Sequence, residues 1–258
     1  MPAWDPKLYL QFGDERTQPA IDLVTRVNLA HPAQIIDIGC GPGNSTAILR
    51  QRWPDARVTG LDSSPEMISA ARLSQPEQEW VLADAASWQA STGSVFDLVF
   101  SNAVLQWIPD HARLIPGLLG RVKPSGALAF QMPARAYSII HQLVLEVAAE
   151  PEWSHRMNDA REGFTLERPG FYYDLLAGLA ARLDIWETEY CHVMQDHEAI
   201  MQWVRGTSVR PFLEALGTEA ERQRFVAQLR ARVAQAYPPQ RDGKVLFPFR
   251  RLFVIAYR

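Results

Sequence analysis

The chain has 258 residues, 47% of them hydrophobic and 21% charged, which suits a large folded core and excludes a disordered chain. No run of about 18 uncharged apolar residues occurs. The opening MPAWDPKLYLQFGDER carries acids where a secretory leader needs a basic end and an apolar stretch, so neither a membrane span nor a leader is expected, and a cytoplasmic location is. Net charge is −3 from 26 basic and 29 acidic residues, which argues against a nucleic-acid partner; Cys40 and Cys191 supply neither a disulfide framework nor a four-ligand zinc site. The near-neutral total hides an asymmetry: residues 205–258 hold 11 Lys and Arg against 4 Asp and Glu, net +7, leaving −10 on residues 1–204. That basic end is either a solvated helix face or a wall for an anionic ligand.

In chain order, short apolar runs at 34–39 (QIIDIG), 57–62 (RVTGLD), 79–84 (EWVLAD), 96–102 (FDLVFSN) and 126–132 (GALAFQM) predict buried strands. Helical patterns at 45–51, 65–74 and 112 to about 122 lie between them, and residues 123–126 (KPSG) read as a turn launching the fifth strand. Beyond residue 132 the rhythm changes. Residues 137–149 predict a helix, 151–169 are polar and irregular, 171–181 predict another helix, and 183–193 a long strand. Asp196 then caps a helix with Ile200, Trp203 and Val204 on one face. Thr218 and Glu221 form a capping box opening a helix on which Phe225, Leu229 and Val233 recur every four residues, and 250–258 predict a final strand. Strand–helix alternation of this length requires parallel strands with right-handed crossovers. The expected fold is therefore α/β: a Rossmann-like, doubly wound, mostly parallel seven-stranded sheet with a helical cap inserted between the last two strands. Residues 1–195 with 245–258 would form the main domain and 196–244 the cap.

The most informative stretch is Asp37-Ile38-Gly39-Cys40-Gly41-Pro42-Gly43, at the end of the first strand. Glycines there permit a tight strand-to-helix turn and close approach of a ligand to the backbone. Two ligands compete for such a turn. A dinucleotide wants G-x-G-x-x-G, whereas here the third glycine comes one residue early and Asn44 ends the six-residue pattern. The alternative, acidic-x-G-x-G-x-G, fits at every position. Asp62 ends the second strand, where a carboxylate can accept from ribose hydroxyls, and Asp84 the third, where one can accept from an adenine amino group. Each could equally be a turn acid or helix cap.

Taken together, the glycine turn and three acids at successive strand ends resemble the class I S-adenosylmethionine-dependent methyltransferases. WDPKLYLQFGDERTQPA, LDSSPEMI, SNAVLQWIPDH, GFYYDLL, the VRPFL segment and FPFRRLFVIA narrow the resemblance to the trans-aconitate 2-methyltransferase family, over nearly the whole chain. The resemblance implies that Asp37 and Gly39, Cys40, Gly41 and Gly43 hold the methionine portion of S-adenosylmethionine. It implies that Asp62 and Ser63 take the ribose, that Asp84 and Ala85 frame the adenine, and that Ser101 and Asn102 lie under the sulfonium. Tyr9, Phe12 and Arg16 would fold over the cofactor, leaving as S-adenosylhomocysteine. No metal is implied.

A small polycarboxylate acceptor needs cationic, hydrogen-bonding walls, and arginine grips a carboxylate with two bonds. Candidates are Arg210, ahead of Pro211, and Arg251, together with Tyr172, Tyr173, Gln106 and Trp107. Core packing is the competing reading for the aromatics. A carboxylate is ionised at pH 7 and needs no general base to attack a methyl group; an acceptor of higher pKa would need one, with His111 or His192 the candidates. The expected function is thus methyl transfer to a carboxylate, with no membrane or nucleic-acid partner and a monomer as default. A methyltransferase for another small acceptor and a non-catalytic cofactor-binding module stand as alternatives.

Overall fold

In a computed structural model, the structure describes residues 13–88, 93, 95–134, 138–162, 165, 167–205 and 208–258; side chains of 13–16, 161 and 162 lie outside the description. In chain order the elements are α1 (Gly13–Arg26), β1 (Gln34–Ile38), α2 (Asn44–Arg52), β2 (Arg57–Asp62), α3 (Pro65–Ser74), β3 (Glu79–Leu82), α4 (Ala85–Trp88), β4 (Phe96–Asn102), α5 (His111–Gly120) and β5 (Val122–Pro133). There follow α6 (Ile139–Ala148), α7 (Asn158–Glu162), α8 (Pro169–Leu176), β6 (Arg182–Met194), α9 (His197–Arg205), α10 (Arg210–Glu214), α11 (Glu219–Ala236) and β7 (Val245–Tyr257).

The strands form one seven-stranded sheet in the order β3-β2-β1-β4-β5-β7-β6. The pairs β1–β2, β1–β4, β2–β3 and β4–β5 are parallel, and β5–β7 is antiparallel. Order reverses at β1, so the carboxyl ends of β1 and β4 flank the switch point at which open α/β sheets bind ligands. The central strands are apolar without alternation because both faces are covered: Ile35, Ile36 and Ile38 in β1, and Leu98, Val99 and Phe100 in β4, are all buried.

The Lys123–Gly126 segment departs from the expected free turn. β5 already begins at Val122, which pairs with Phe96, and the register then shifts before Leu98 pairs with Ala127. Ser125 takes φ 67° inside this irregularity, and its amide donates to the Arg258 carbonyl at 2.8 Å. The turn chemistry is absorbed as a bulge because Arg258, just past the end of β7, supplies a partner for the displaced backbone.

The chain divides into two compact units. One comprises residues 1–133, 165–188 and 251–258, and the other 134–164 and 189–250. The second is larger than the expected 196–244 cap, for a reason its packing makes plain. α6 and α11 pack together, Trp153 sits edge-on to Phe225 at 5.8 Å and donates to Gln228 at 2.8 Å, and Arg156 pairs with Glu221 at 2.7 Å. Segment 134–164 thus buries its apolar side on the α11 helix. Among the described residues, no helix is long and apolar enough to cross a membrane.

Candidate active site

Asp37 is fully buried near the end of β1. Its Oδ2 accepts from the Ser45 and Thr46 hydroxyls, both at 2.7 Å, in the first turn of α2. Oδ1 is buried with no hydrogen-bond partner. Burial, outweighing those two hydroxyls, raises the carboxyl to a pKa of about 6. A buried acceptor of this kind is costly by itself and is stabilised by a cationic or hydrogen-bonding ligand.

The turn that follows is tied to the next strand: the amides of Gly39 and Cys40 both donate to the Leu61 carbonyl, at 2.6 and 3.0 Å. Gly39 has φ +70°, and a Cβ there would lie 2.3 Å from Val104, so no other residue fits. Gly41 has φ +55°, but a Cβ there would meet nothing within 4 Å. The space beside Gly41 is therefore open for a ligand to approach the backbone.

Asp62 closes the turn from the other side. Its Oδ2 accepts from the Gly41 amide and its Oδ1 from the Ser64 amide, both at 2.9 Å, while burial raises its pKa. Ser63 beside it is exposed. Thr17, Ala20, Gly39, Cys40, Asn44, Ser45, Ile48 and Asn102 line a small cleft, partly open to solvent. Cys40 Sγ is buried, and burial raises its pKa, so the thiol is held neutral against any effect of the nearby helix terminus.

The remaining expected residues fall into three groups. Asp84 accepts the amides of Ala86 and Ser87 on Oδ1, at 2.7 and 3.2 Å, and so caps α4, whose Ala85 is buried. Asn102 is buried at the end of β4 and accepts from Gln131 Nε2; Gln131 in turn accepts from Arg251 Nη1 at 3.4 Å. Gln106 is buried, donates to the Ala103 carbonyl at 2.8 Å, and keeps Oε1 buried without a hydrogen bond; Trp107 is half-buried.

Tyr172 is core. It is fully buried against Phe130 and Phe171, and its hydroxyl lies 2.7 Å from His111 Nδ1. His111 Nε2 lies 2.9 Å from the Leu105 carbonyl, which only accepts, so Nε2 carries the proton and Nδ1 accepts from the tyrosine. Burial holds the imidazole pKa below its ordinary value. His111 is therefore occupied on both nitrogens, and Tyr172 has spent its proton. Tyr173 is 56% exposed. His192, the other candidate base, packs in the second unit among Tyr190, Trp203, Phe247 and Phe249. Arg210, also in the second unit, pairs with Glu214 one helical turn on, at 2.8 Å. Tyr9 and Phe12 lie outside the described residues, as does the Arg16 side chain.

Sequence reading missed Ser45 and Thr46, which hold Asp37, as well as Thr17 and Ala20 of α1, which line the cleft. It also missed Gln131. The signal for Gln131 was present, a single amide inside the apolar run GALAFQM.

Residues 36–130 match the methyltransferase domain family. The chain is 49% identical over 258 residues to the trans-aconitate 2-methyltransferase of Azoarcus sp. (strain BH72), covering 100% of both chains. It is 46% identical to that of Rhodopseudomonas palustris (strain BisB18), again over 100% of both. Among solved structures, the YcgJ protein of Bacillus subtilis superposes with a TM-score of 0.58 at 12% identity, over 93% of this chain and 98% of that one. The phosphoethanolamine N-methyltransferase 2 of Haemonchus contortus, in complex with S-adenosyl-L-methionine, gives 0.56 at 14% identity, over 93% and 52%. Those two likenesses are of fold. Near-half identity along the entire length goes further: this chain belongs to the trans-aconitate 2-methyltransferase family, within the class I S-adenosylmethionine-dependent methyltransferases.

Proposed function

We propose that the protein transfers a methyl group from S-adenosylmethionine to one carboxylate of trans-aconitate, giving a monomethyl ester. The observation carrying this reading is 49% identity over the full length to a relative of that name. The residues present fit the cofactor: Asp37 Oδ1 is a buried acceptor without a partner beside the glycine turn, and the space beyond Gly41 is open. Asp37 and the turn would hold the methionine portion. Asp62, at the end of β2 with Ser63 alongside, accepts backbone amides of the turn and would take the ribose hydroxyls. Asp84 Oδ2 and Ala85 would frame the adenine.

When bound, the cofactor supplies an electrophilic methyl on a positively charged sulfur. A carboxylate oxygen of the acceptor would take that methyl by in-line displacement, the C–O bond forming as the C–S bond breaks and its electron pair going to sulfur. The acceptor is already anionic at pH 7, so no residue has to remove a proton. That agrees with a His111 whose nitrogens are both engaged. The protein's contribution is to hold the two reactants about 3 Å apart in line, and to replace the water shell of the carboxylate with fixed donors.

The test is transfer of labelled methyl to a panel comprising trans-aconitate, cis-aconitate, isocitrate, citrate and a monocarboxylate. Base-labile label on trans-aconitate, with little on the monocarboxylate, is expected. Label on a different acid would keep the chemistry and replace the acceptor; cofactor binding with no label on any acid would discard the reading.

A further inference from the structure

Asn102, Gln131 and Arg251 form a buried polar chain across the ends of β4, β5 and β7. Gln131 is fully buried and Arg251 is 4% exposed, while Asn102 lines the cleft over the glycine turn. The register fixes this neighbourhood: Asn102 stands beside Gln131, Arg251 stands opposite Pro133, and the Ala103 amide donates to the Gln131 carbonyl at 2.9 Å. A guanidinium can only donate, so the Gln131 oxygen faces Arg251, as the 3.4 Å contact has it. The Gln131 nitrogen must then donate to Asn102 through the asparagine oxygen. With Oδ1 held inward, the amide that Asn102 presents to the cleft is its NH2.

We infer that Gln131 is a positioning residue which transmits the polarity of Arg251 to Asn102, so that Asn102 offers N–H donors to the acceptor carboxylate. This rests on the carboxylate-methylating reading above and assigns it a specificity element. It also changes the role of Asn102: an NH2 group has nothing to give a sulfonium, but it complements an incoming anionic oxygen and disfavours an acceptor that itself presents N–H. Charge near that oxygen is supplied at one remove by the buried Arg251, which polarises the chain of amides.

The polarity can be reversed without removing the bond network. Gln131→Glu keeps the shape, pairs with Arg251, and accepts at both ends, forcing Asn102 to turn its NH2 inward and its oxygen to the cleft. Gln131→Met keeps the volume and releases Asn102 from any fixed orientation. Asn102→Asp places an oxygen on the cleft whichever way it lies. Binding of trans-aconitate to each protein saturated with S-adenosylhomocysteine is measured by calorimetry, with KM and kcat for methyl transfer alongside. S-adenosylhomocysteine affinity of the two Gln131 variants within about twofold of wild type certifies a folded cofactor site. In Gln131→Glu and Asn102→Asp, binding weakened about tenfold or more with KM raised in step is expected, corresponding to a lost hydrogen bond to a charged group. Gln131→Met should fall between them and wild type, and decides the matter should the glutamate variant fail to fold. Tricarboxylate binding unchanged in these variants overturns the inference while leaving the function standing. Wild type that binds the acid but forms no ester overturns the function, and the variants' binding still decides the polarity. Wild type that binds no tricarboxylate overturns both.

Discussion

Among single residues, Asp37 sets how folding and cofactor binding respond to pH. Its folded-state pKa of about 6 lies above the usual 3.8, because burial outweighs the two hydroxyls that stabilise the anion. The native protein therefore binds more protons than the unfolded chain between about pH 4 and pH 6, and stability falls as pH rises through that window. The difference amounts to a deficit of about 3 kcal/mol at neutral pH. Asp37→Asn should accordingly raise the thermal midpoint of the ligand-free protein at pH 7.5, yet weaken cofactor binding. In wild type, cofactor affinity should drop as pH falls below about 6 while the asparagine variant shows no such step; calorimetry across pH reads both. The glycines make a contrasting pair. Gly39→Ala meets Val104 at 2.3 Å in a left-handed backbone and should cost about 2 to 5 kcal/mol in chemical denaturation. Gly41→Ala bears only the backbone penalty, about 1 to 2 kcal/mol, but puts a methyl into open space beside the turn. It should lower cofactor affinity more than it lowers stability.

At the scale of elements, what was legible in the sequence is what local chemistry decides. The predicted helix at 65–74 is α3 to the residue, because Ser64 caps it and Pro65 opens it: the Met67 amide donates to Ser64 Oγ at 3.2 Å. The capping box on α11 is present with both bonds, Thr218 to the Glu221 amide at 3.2 Å and Glu221 back to the Thr218 amide at 2.9 Å. Thr218→Ala should destabilise by about 1 kcal/mol, read as a lowered midpoint in urea. Elements decided by distant partners were not legible. The Lys123–Gly126 segment holds every local turn signal, but Arg258, more than 130 residues on, supplies the backbone partner that makes it part of a strand. Likewise β7 begins at Val245 and not at residue 250. Trp80 shows the same long reach: its ring lies 2.9 Å from where a Cβ of Gly43 would stand and 2.3 Å from one on Gly60, and its indole donates to the Gln75 carbonyl at 3.1 Å. The spacing of the glycines could be read; what fills the space behind them could not.

On the scale of the whole molecule, the parallel pairing of β1 to β5 follows from alternating short apolar runs and helical patterns, since parallel strands need crossovers and crossovers have one hand; the strand order and the antiparallel β7 were not legible, because the same hand allows more than one order. The second unit was less legible, because residues 134–164 join it through Trp153 and Arg156, whose partners Phe225, Gln228 and Glu221 lie 65 or more positions away. In the candidate site, the acids at strand ends could be singled out from position alone. Gln131 and the hydroxyls of Ser45 and Thr46 could not, since only three-dimensional neighbourhood distinguishes them from other polar residues. For the reaction, both His111 nitrogens are engaged and the acceptor is ionised, so kcat/KM should stay level from about pH 6.5 to 8.5; a rise of one decade per pH unit in that range would reveal a base. The most direct single measurement is mass and nuclear magnetic resonance analysis of the product formed from S-adenosylmethionine and trans-aconitate. A tricarboxylate carrying one methyl ester, formed together with S-adenosylhomocysteine, is the predicted result. Unmodified trans-aconitate after prolonged incubation with protein that binds S-adenosylhomocysteine would contradict the account.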